Sequence, residues 1–217
     1  MKLKESLKNK IPENKLRFVP SSYDVIGQVC ILEIKKEVKT YSRLIGEAIL
    51  KLNPSIKSVF KKSSAISGKF RTHKIIYVAG INNKETIHKE NNALLKLDVE
   101  KCYFSPRSGN ERLRISKLVK KNESVLVMFS GVGAFNLVIL RNSSPKEVYG
   151  IEINKTAHKY AIENLRLNKI PEIKSKMLNG DVKKILPKIK KKFDRILMPL
   201  PQQSERFLQL ALNKIKK

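Results

Sequence analysis

The chain has 217 residues, 41% of them apolar, and sets 46 Lys and Arg against 19 Asp and Glu for a formal net charge of +27. The apolar share is enough for a folded core and excludes a disordered chain. The charge points to a polyanionic partner, because each phosphate contact releases condensed counterions, although a lysine-biased, diffuse solvated surface accounts for part of it.

Residues 1–17 are polar and lysine-rich, the composition of a disordered tail, and they lack the apolar stretch of a signal peptide. From Phe18 to about Glu100 the pattern is mixed. Val29–Ile34 alternates as a strand does, and Glu37–Leu52 carries Tyr41, Leu44, Ile45, Ala48, Ile49 and Leu52 on one helical stripe that Asn53–Pro54 stops. Ile75–Ala79, Thr86–Lys89 and Leu94–Leu97 are short strands, so residues 18–100 read as a small α+β domain. The second half changes rhythm. Helices are expected at Glu111–Lys120, from the glycine loop to Arg141, and at Lys155–Asn168, Val182–Lys191 and Gln203–Ile215. Strands are expected at Val125–Phe129, Glu147–Ile153, Lys176–Leu178 and Phe193–Met198. This alternation makes βαβ units and a parallel sheet over 101–217. The fold class is therefore α/β: a Rossmann-like parallel sheet preceded by a small α+β domain.

Cys30 and Cys102, with His73, His88 and His158, show no metal-ligand spacing, so no metal is expected and a reducing cytoplasm fits. The longest apolar run, Val125–Leu140, is too short for a membrane span and is broken by Ser130, Gly131 and Gly133.

A strand followed at once by Ser130–Gly131–Val132–Gly133–Ala134–Phe135 and a helix is where an open α/β sheet takes a nucleotide-like ligand. Gly131 and Gly133 let the backbone approach it, and the helix N-terminus offers free N–H groups. The pattern ends on Asn136 instead of a third glycine, which suits a ligand without a pyrophosphate. Glu152, ending the next strand, is placed to accept ribose hydroxyls; the alternative is a solvated loop acid. Asp181 is a ready N-cap for the helix that follows it.

Three segments are more specific. Asp98–Val99–Glu100–Lys101–Cys102–Tyr103–Phe104–Ser105–Pro106–Arg107 is followed by Gly109–Asn110–Glu111–Arg112–Leu113–Arg114, and later by Asp194–Arg195–Ile196–Leu197–Met198–Pro199–Leu200–Pro201. Together with the glycine loop they resemble the archaeal–eukaryotic tRNA (guanine-37-N1)-methyltransferase family, from about Phe18 to the C-terminus. The resemblance implies a class I methyltransferase fold and methyl transfer from S-adenosylmethionine to N1 of guanosine 37 in tRNA. Guanine N1 carries a proton at neutral pH, so a base must remove it, and charge then grows toward O6. By resemblance Glu111 is the base and Arg71 the O6 partner. Tyr103, Arg112, Phe129, Gly131, Gly133, Glu152, Ile153, Asp181 and Val182 hold the cofactor, with Asp181 at the adenine amino group. Arg107, Pro199 and Pro201 face RNA. Without the resemblance, Glu111 is equally a first-turn acid favouring a helix N-terminus, and Tyr103 an ordinary core aromatic.

The chain departs from the family in three places. Val127 stands where an Asp is usual, near the cofactor's methionine moiety. Pro199 stands where many amino-methyltransferases carry Asn, leaving the base to backbone carbonyls and Arg71. The sequence also stops after the helix that follows the fourth strand and has no counterpart of the family's tRNA-elbow domain, so an open sheet edge, completed by a protein partner, is expected. Two other functions fit the same residues: a catalytically degenerate tRNA-binding module, and the aminocarboxypropyl transferase of wybutosine synthesis.

Overall fold

The computed structural model describes residues 2–63, 68, 70–200 and 204–216. They divide into two compact units, Met1–His88 with Asp98–Glu100, and Lys89–Leu97 with Lys101–Lys217.

The N-terminal unit begins with two one-turn helices, α1 (Leu3–Ser6) and α2 (Glu13–Leu16). A disordered tail over 1–17 was expected, and the structure corrects this. Leu7 and Ile11 are buried in the same core as Val19, Leu32, Ile45, Ile49 and Val59. The stretch is polar on average, yet its few apolar residues recur at helical spacing and bury together. Strands β1 (Asp24–Ile26) and β2 (Val29–Leu32) form a hairpin. Helix α3 (Ser42–Leu52) buries Ile45, Gly46 and Ile49. Its expected first turns, Lys36–Tyr41, wind as a tighter 3-10 helix that buries Val38. Strand β3 (Ser58–Lys62), absent from the sequence reading, lies parallel to β2 and antiparallel to β4 (Ile75–Gly80). Its residues Ser58, Val59 and Phe60 are all buried, so no alternation marks it as a strand. The sheet order is β1-β2-β3-β4.

Strands β5 (Glu85–Glu90) and β6 (Ala93–Asp98) follow. The C-terminal unit continues with α4 (Gly109–Leu118), β7 (Ser124–Met128), α5 (Ala134–Asn142), β8 (Glu147–Glu152), α6 (Lys155–Leu167), β9 (Ser175–Asn179), α7 (Val182–Ile185), β10 (Arg195–Leu197) and α8 (Leu208–Leu212). Its four strands are all parallel, in the order β10-β7-β8-β9. This is the α/β parallel sheet expected. Strand β7 is buried at every position because both of its faces are covered. Leu126 and Met128 join Ile151, Val182, Leu186 and Phe193 in one cluster. Val125 and Val127 join Val119, Ile139 and Val148 in another.

Helix α7 is one turn long where ten residues of helix were expected, and a 3-10 turn at Leu186–Lys188 follows it. Pro187 lacks the N–H that would continue the α-helical ladder. Beyond β10, Phe193 exchanges backbone hydrogen bonds with Lys214 and Lys216, so the lower part of that sheet edge is paired within the chain. Because the four strands run parallel, the segments after β7, β8, β9 and β10 all emerge along one edge of the sheet, where an open α/β fold binds its ligand.

Candidate active site

The site starts with a strained loop. Phe129, Gly131 and Gly133 follow β7 with φ of 59°, 57° and 82°. Glycine takes such angles freely, but a phenylalanine there is strained by about 1–3 kcal/mol. Packing offsets the strain: the Phe129 ring meets Phe207 edge-on at 4.8 Å between centroids. Gly133 caps α5, and a Cβ on it would sit 3.4 Å from that of Ala161, so helix α6 can press against the loop.

A pocket of about 260 Å³ opens at the ends of β7 and β10. Tyr103, Glu111 and Arg112 line it on one side, Phe129–Val132 at the loop, and Met198–Leu200 on the other. A hydrogen bond from the Leu200 N–H to the Met198 carbonyl, 2.7 Å, closes a tight turn around Pro199. Ser130 Oγ is buried in this loop with no hydrogen-bond partner among the described residues, an unspent polar group at a pocket wall. Sequence reasoning named Ser130 as part of the loop without giving it a role. Met198 and Ser105, which fall in the specific segments without a role assigned to them, also line the pocket, as does Ser108, which carried no signal.

Glu152 is 8% exposed and accepts the Gly131 N–H and the Asn154 N–H, each at 2.7 Å. Burial raises its pKa above the ordinary 4.5, and backbone hydrogen bonds from Asn154, Gly131 and Ile153 oppose that rise. This acid ends β8 and is bonded to the glycine loop. Asp181 accepts the Lys183 N–H at 2.9 Å as N-cap of α7, and Val182 is buried behind it. Glu152, Ile153, Asp181 and Val182 stand at the ends of β8 and β9 on the same sheet edge as the pocket without lining it.

Glu111 is exposed at the pocket rim, its two oxygens 2.7 and 2.8 Å from the Arg114 guanidinium. Hydrogen bonding to Arg114 holds its pKa below the ordinary value, despite a small opposing effect of burial. Arg112, by contrast, is 4% exposed, and its Nε and Nη2 are both engaged. It pairs with Glu90 through contacts of 2.5 and 2.7 Å, donates to the Ser105 carbonyl at 3.0 Å and lies 4.9 Å from the Phe104 ring centre. Arg107 is exposed on the turn before α4. Val127 is fully buried among apolar side chains and does not line the pocket.

Arg71 belongs to the N-terminal unit, where it has a φ of 53° and a buried Nε without a partner among the described residues. The other named site residues belong to the C-terminal unit. Pro201 lies outside the described residues. Among the described residues, no group of His, Cys, Asp and Glu side chains is arranged to hold a metal ion, and no helix is long and apolar enough to cross a membrane.

Residues 86–217 match the TRM5/TYW2 methyltransferase domain, and residues 3–84 match the TYW2 N-terminal domain. The chain is 41% identical over 203 residues to the tRNA (guanine(37)-N(1))-methyltransferase Trm5b of Pyrococcus abyssi, covering 94% of itself and 59% of that protein. It is 34% identical over 195 residues to the tRNA(Phe) (4-demethylwyosine(37)-C(7)) aminocarboxypropyltransferase of Methanocaldococcus jannaschii, covering 89% of itself and 74% of that protein. The crystal structure of Methanocaldococcus jannaschii Trm5 in complex with adenosine superposes with a TM-score of 0.80 at 35% identity, over 99% of this chain and 62% of that one. The glycine loop, the acid ending β8 and the pocket between β7 and β10 all fall in the matched region, and the chain belongs to the TRM5/TYW2 methyltransferase family.

Proposed function

We propose that this chain binds S-adenosylmethionine and methylates N1 of guanosine 37 in tRNA. The observation that carries the reading is the pocket itself, with an ionised carboxylate, Glu111, at its rim beside the strained glycine loop. The loop fits the cofactor. Gly131 has only the Tyr103 carbonyl oxygen near its missing Cβ, at 3.8 Å, and the Ser130 hydroxyl is unspent. Gly131, Ser130, Phe129 and Glu152 would hold the cofactor, which supplies an electrophilic methyl group.

The chain's own residues then have three tasks. Glu111 accepts the N1 proton; held ionised by Arg114, it is ready to do so at neutral pH. Arg71, whose Nε–H is uncommitted among the described residues, stabilises the charge that grows on O6. The Pro199 turn supplies backbone carbonyls at the pocket wall, since its ring has no side-chain donor. Arg112 lines the pocket and braces its wall through Glu90 and the Ser105 carbonyl. Arg107 and the lysine-rich surface take tRNA phosphates.

Mass spectrometry of tRNA transcripts incubated with the chain and S-adenosylmethionine tests the reading. Gain of one methyl group at guanosine 37 supports it. Calorimetry showing no S-adenosylmethionine binding sinks it and leaves a degenerate tRNA-binding module. A second reading, aminocarboxypropyl transfer, draws on the match of residues 3–84 to the TYW2 N-terminal domain. The same spectra separate the two by the mass of the group added. Affinity for tRNA is expected to fall steeply with salt, and a flat response would count against phosphate contacts.

A further inference from the structure

Helix α6 carries two buried asparagines one turn apart, Asn164 and Asn168. Asn168 Oδ1 accepts the Leu94 N–H at 2.8 Å, and its Nδ2 donates to the Leu94 carbonyl at 2.7 Å. Asn164 repeats the pair two residues along β6, accepting the Lys96 N–H at 2.7 Å and donating to the Lys96 carbonyl at 3.0 Å. The spacing explains the fit. Four helical residues rise about 6 Å and two strand residues about 6.7 Å, so side-chain amides at i and i+4 meet backbone amides at i and i+2. The two asparagines thus serve β6 as a neighbouring strand would.

Beyond β6, Asn168 Nδ2 donates to the Asn164 carbonyl at 2.7 Å, within the helix, whereas the third bond of Asn164 runs to the pocket loop. Asn164 Nδ2 donates to the carbonyl of Val132, at 3.0 Å, the residue between the two positive-φ glycines of that loop. The loop is therefore held at three consecutive residues: Gly131 by Glu152, Val132 by Asn164, and Gly133 by its close approach to Ala161. Glycines on both sides leave the Val132 peptide free to rotate on steric grounds alone. The hydrogen bond from α6 removes that freedom.

We infer that Asn164 is a positioning residue for the cofactor loop: its amide locks the Val132 carbonyl to α6 and β6 and so fixes the loop in its binding conformation. This rests on the proposed S-adenosylmethionine function. Asn168 is the matched control, because it makes the same bonds to β6 and none to the loop.

The experiment compares Asn164→Ala with Asn168→Ala by thermal denaturation and by calorimetric titration with S-adenosylmethionine. Both variants are expected to lose similar stability. Only Asn164→Ala is expected to weaken cofactor binding, by about tenfold, the scale of one lost hydrogen bond. Unchanged affinity in Asn164→Ala, or equal weakening in both variants, overturns the inference and leaves the pair as scaffold. Should Asn164→Ala not fold, the wild-type side-chain amide protons give the readout by nuclear magnetic resonance. Those of Asn164 are expected to shift on addition of S-adenosylmethionine while those of Asn168 stay in place, and the absence of a selective Asn164 shift refutes the lock. A wild-type chain that binds no S-adenosylmethionine defeats the functional reading and this inference together. A wild-type chain that binds alongside an unaffected Asn164→Ala defeats the inference alone.

Discussion

The backbone N–H of Gly131 donates to Glu152 Oε2 across 2.7 Å, tying the loop after β7 to the acid that ends β8. The other oxygen, Oε1, accepts the Asn154 N–H at 2.7 Å, so the carboxylate faces two donors. A carboxamide has one acceptor and one donor group, and Glu152→Gln turns its NH2 toward one of these N–H groups. The expected result is a loss of about 1–3 kcal/mol in stability, the cost of an unsatisfied buried group, together with weaker S-adenosylmethionine binding. Chemical denaturation and calorimetry check this, and wild-type affinity in the variant would remove Glu152 from the binding site.

Glu111→Gln is expected to lower kcat by about 10²–10⁴, the range for losing a general base, with cofactor affinity unchanged. Parallel loss of cofactor binding and turnover would make Glu111 structural.

The pH profile follows from the Glu111–Arg114 pair. The pKa of Glu111 lies below the ordinary 4.5, chiefly through hydrogen bonding to Arg114. The proposed base is active when deprotonated, so its acid limb in kcat/KM is expected below pH 4.5. Arg114→Ala removes the cause and is expected to move that limb upward; a limb that stays in place separates Glu111 from the profile.

Arg112 and Glu90 form an ion pair with side chains 4% and 8% exposed. Removing one partner strands the other in a buried position, which costs about 3–5 kcal/mol. Arg112→Leu is therefore expected to lower the denaturation midpoint sharply, and Arg112→Leu with Glu90→Leu to recover much of the loss. A double variant no more stable than the single one would show that the brace acts through Ser105 and Phe104 instead.

His158 and His73 set an acid limit on stability. Burial lowers both pKa values below the ordinary 6.5, with nearby Lys62 adding to the effect at His73. Below pH 6.5 the unfolded chain takes up protons that the folded chain resists, so stability is full above that value and falls as the pH drops through it. His158→Gln is expected to flatten the decline measured by denaturant titration between pH 7 and 5. An unchanged slope would assign it to other groups.

Much of the C-terminal unit was legible in the residues because its signals are local. Val125–Met128 is apolar without a break, Gly131 and Gly133 mark a turn that needs positive φ, and α6 shows a helical stripe with Asn154 as its cap. The helix after Asp181 is shorter than its apolar pattern suggests, because Pro187 ends the α-helical ladder inside that pattern. The N-terminal unit was less legible. Strand β3 is buried throughout and shows no alternation, and α1 and α2 are too short for a periodic pattern to stand above their lysines.

By itself, the amino-acid order determined the α/β class, the glycine loop and the acid at Glu152. Each is a matter of residue type at short spacing, where backbone sterics and periodicity act. Tertiary structure alone decided that Arg112 pairs with Glu90 in a buried position while its neighbour Glu111 stands exposed at the pocket rim, that Val127 faces an apolar cluster, and that Asn164 reaches Val132. Adjacent residues on a helix point in different directions, and what each one meets depends on segments brought in from elsewhere in the chain.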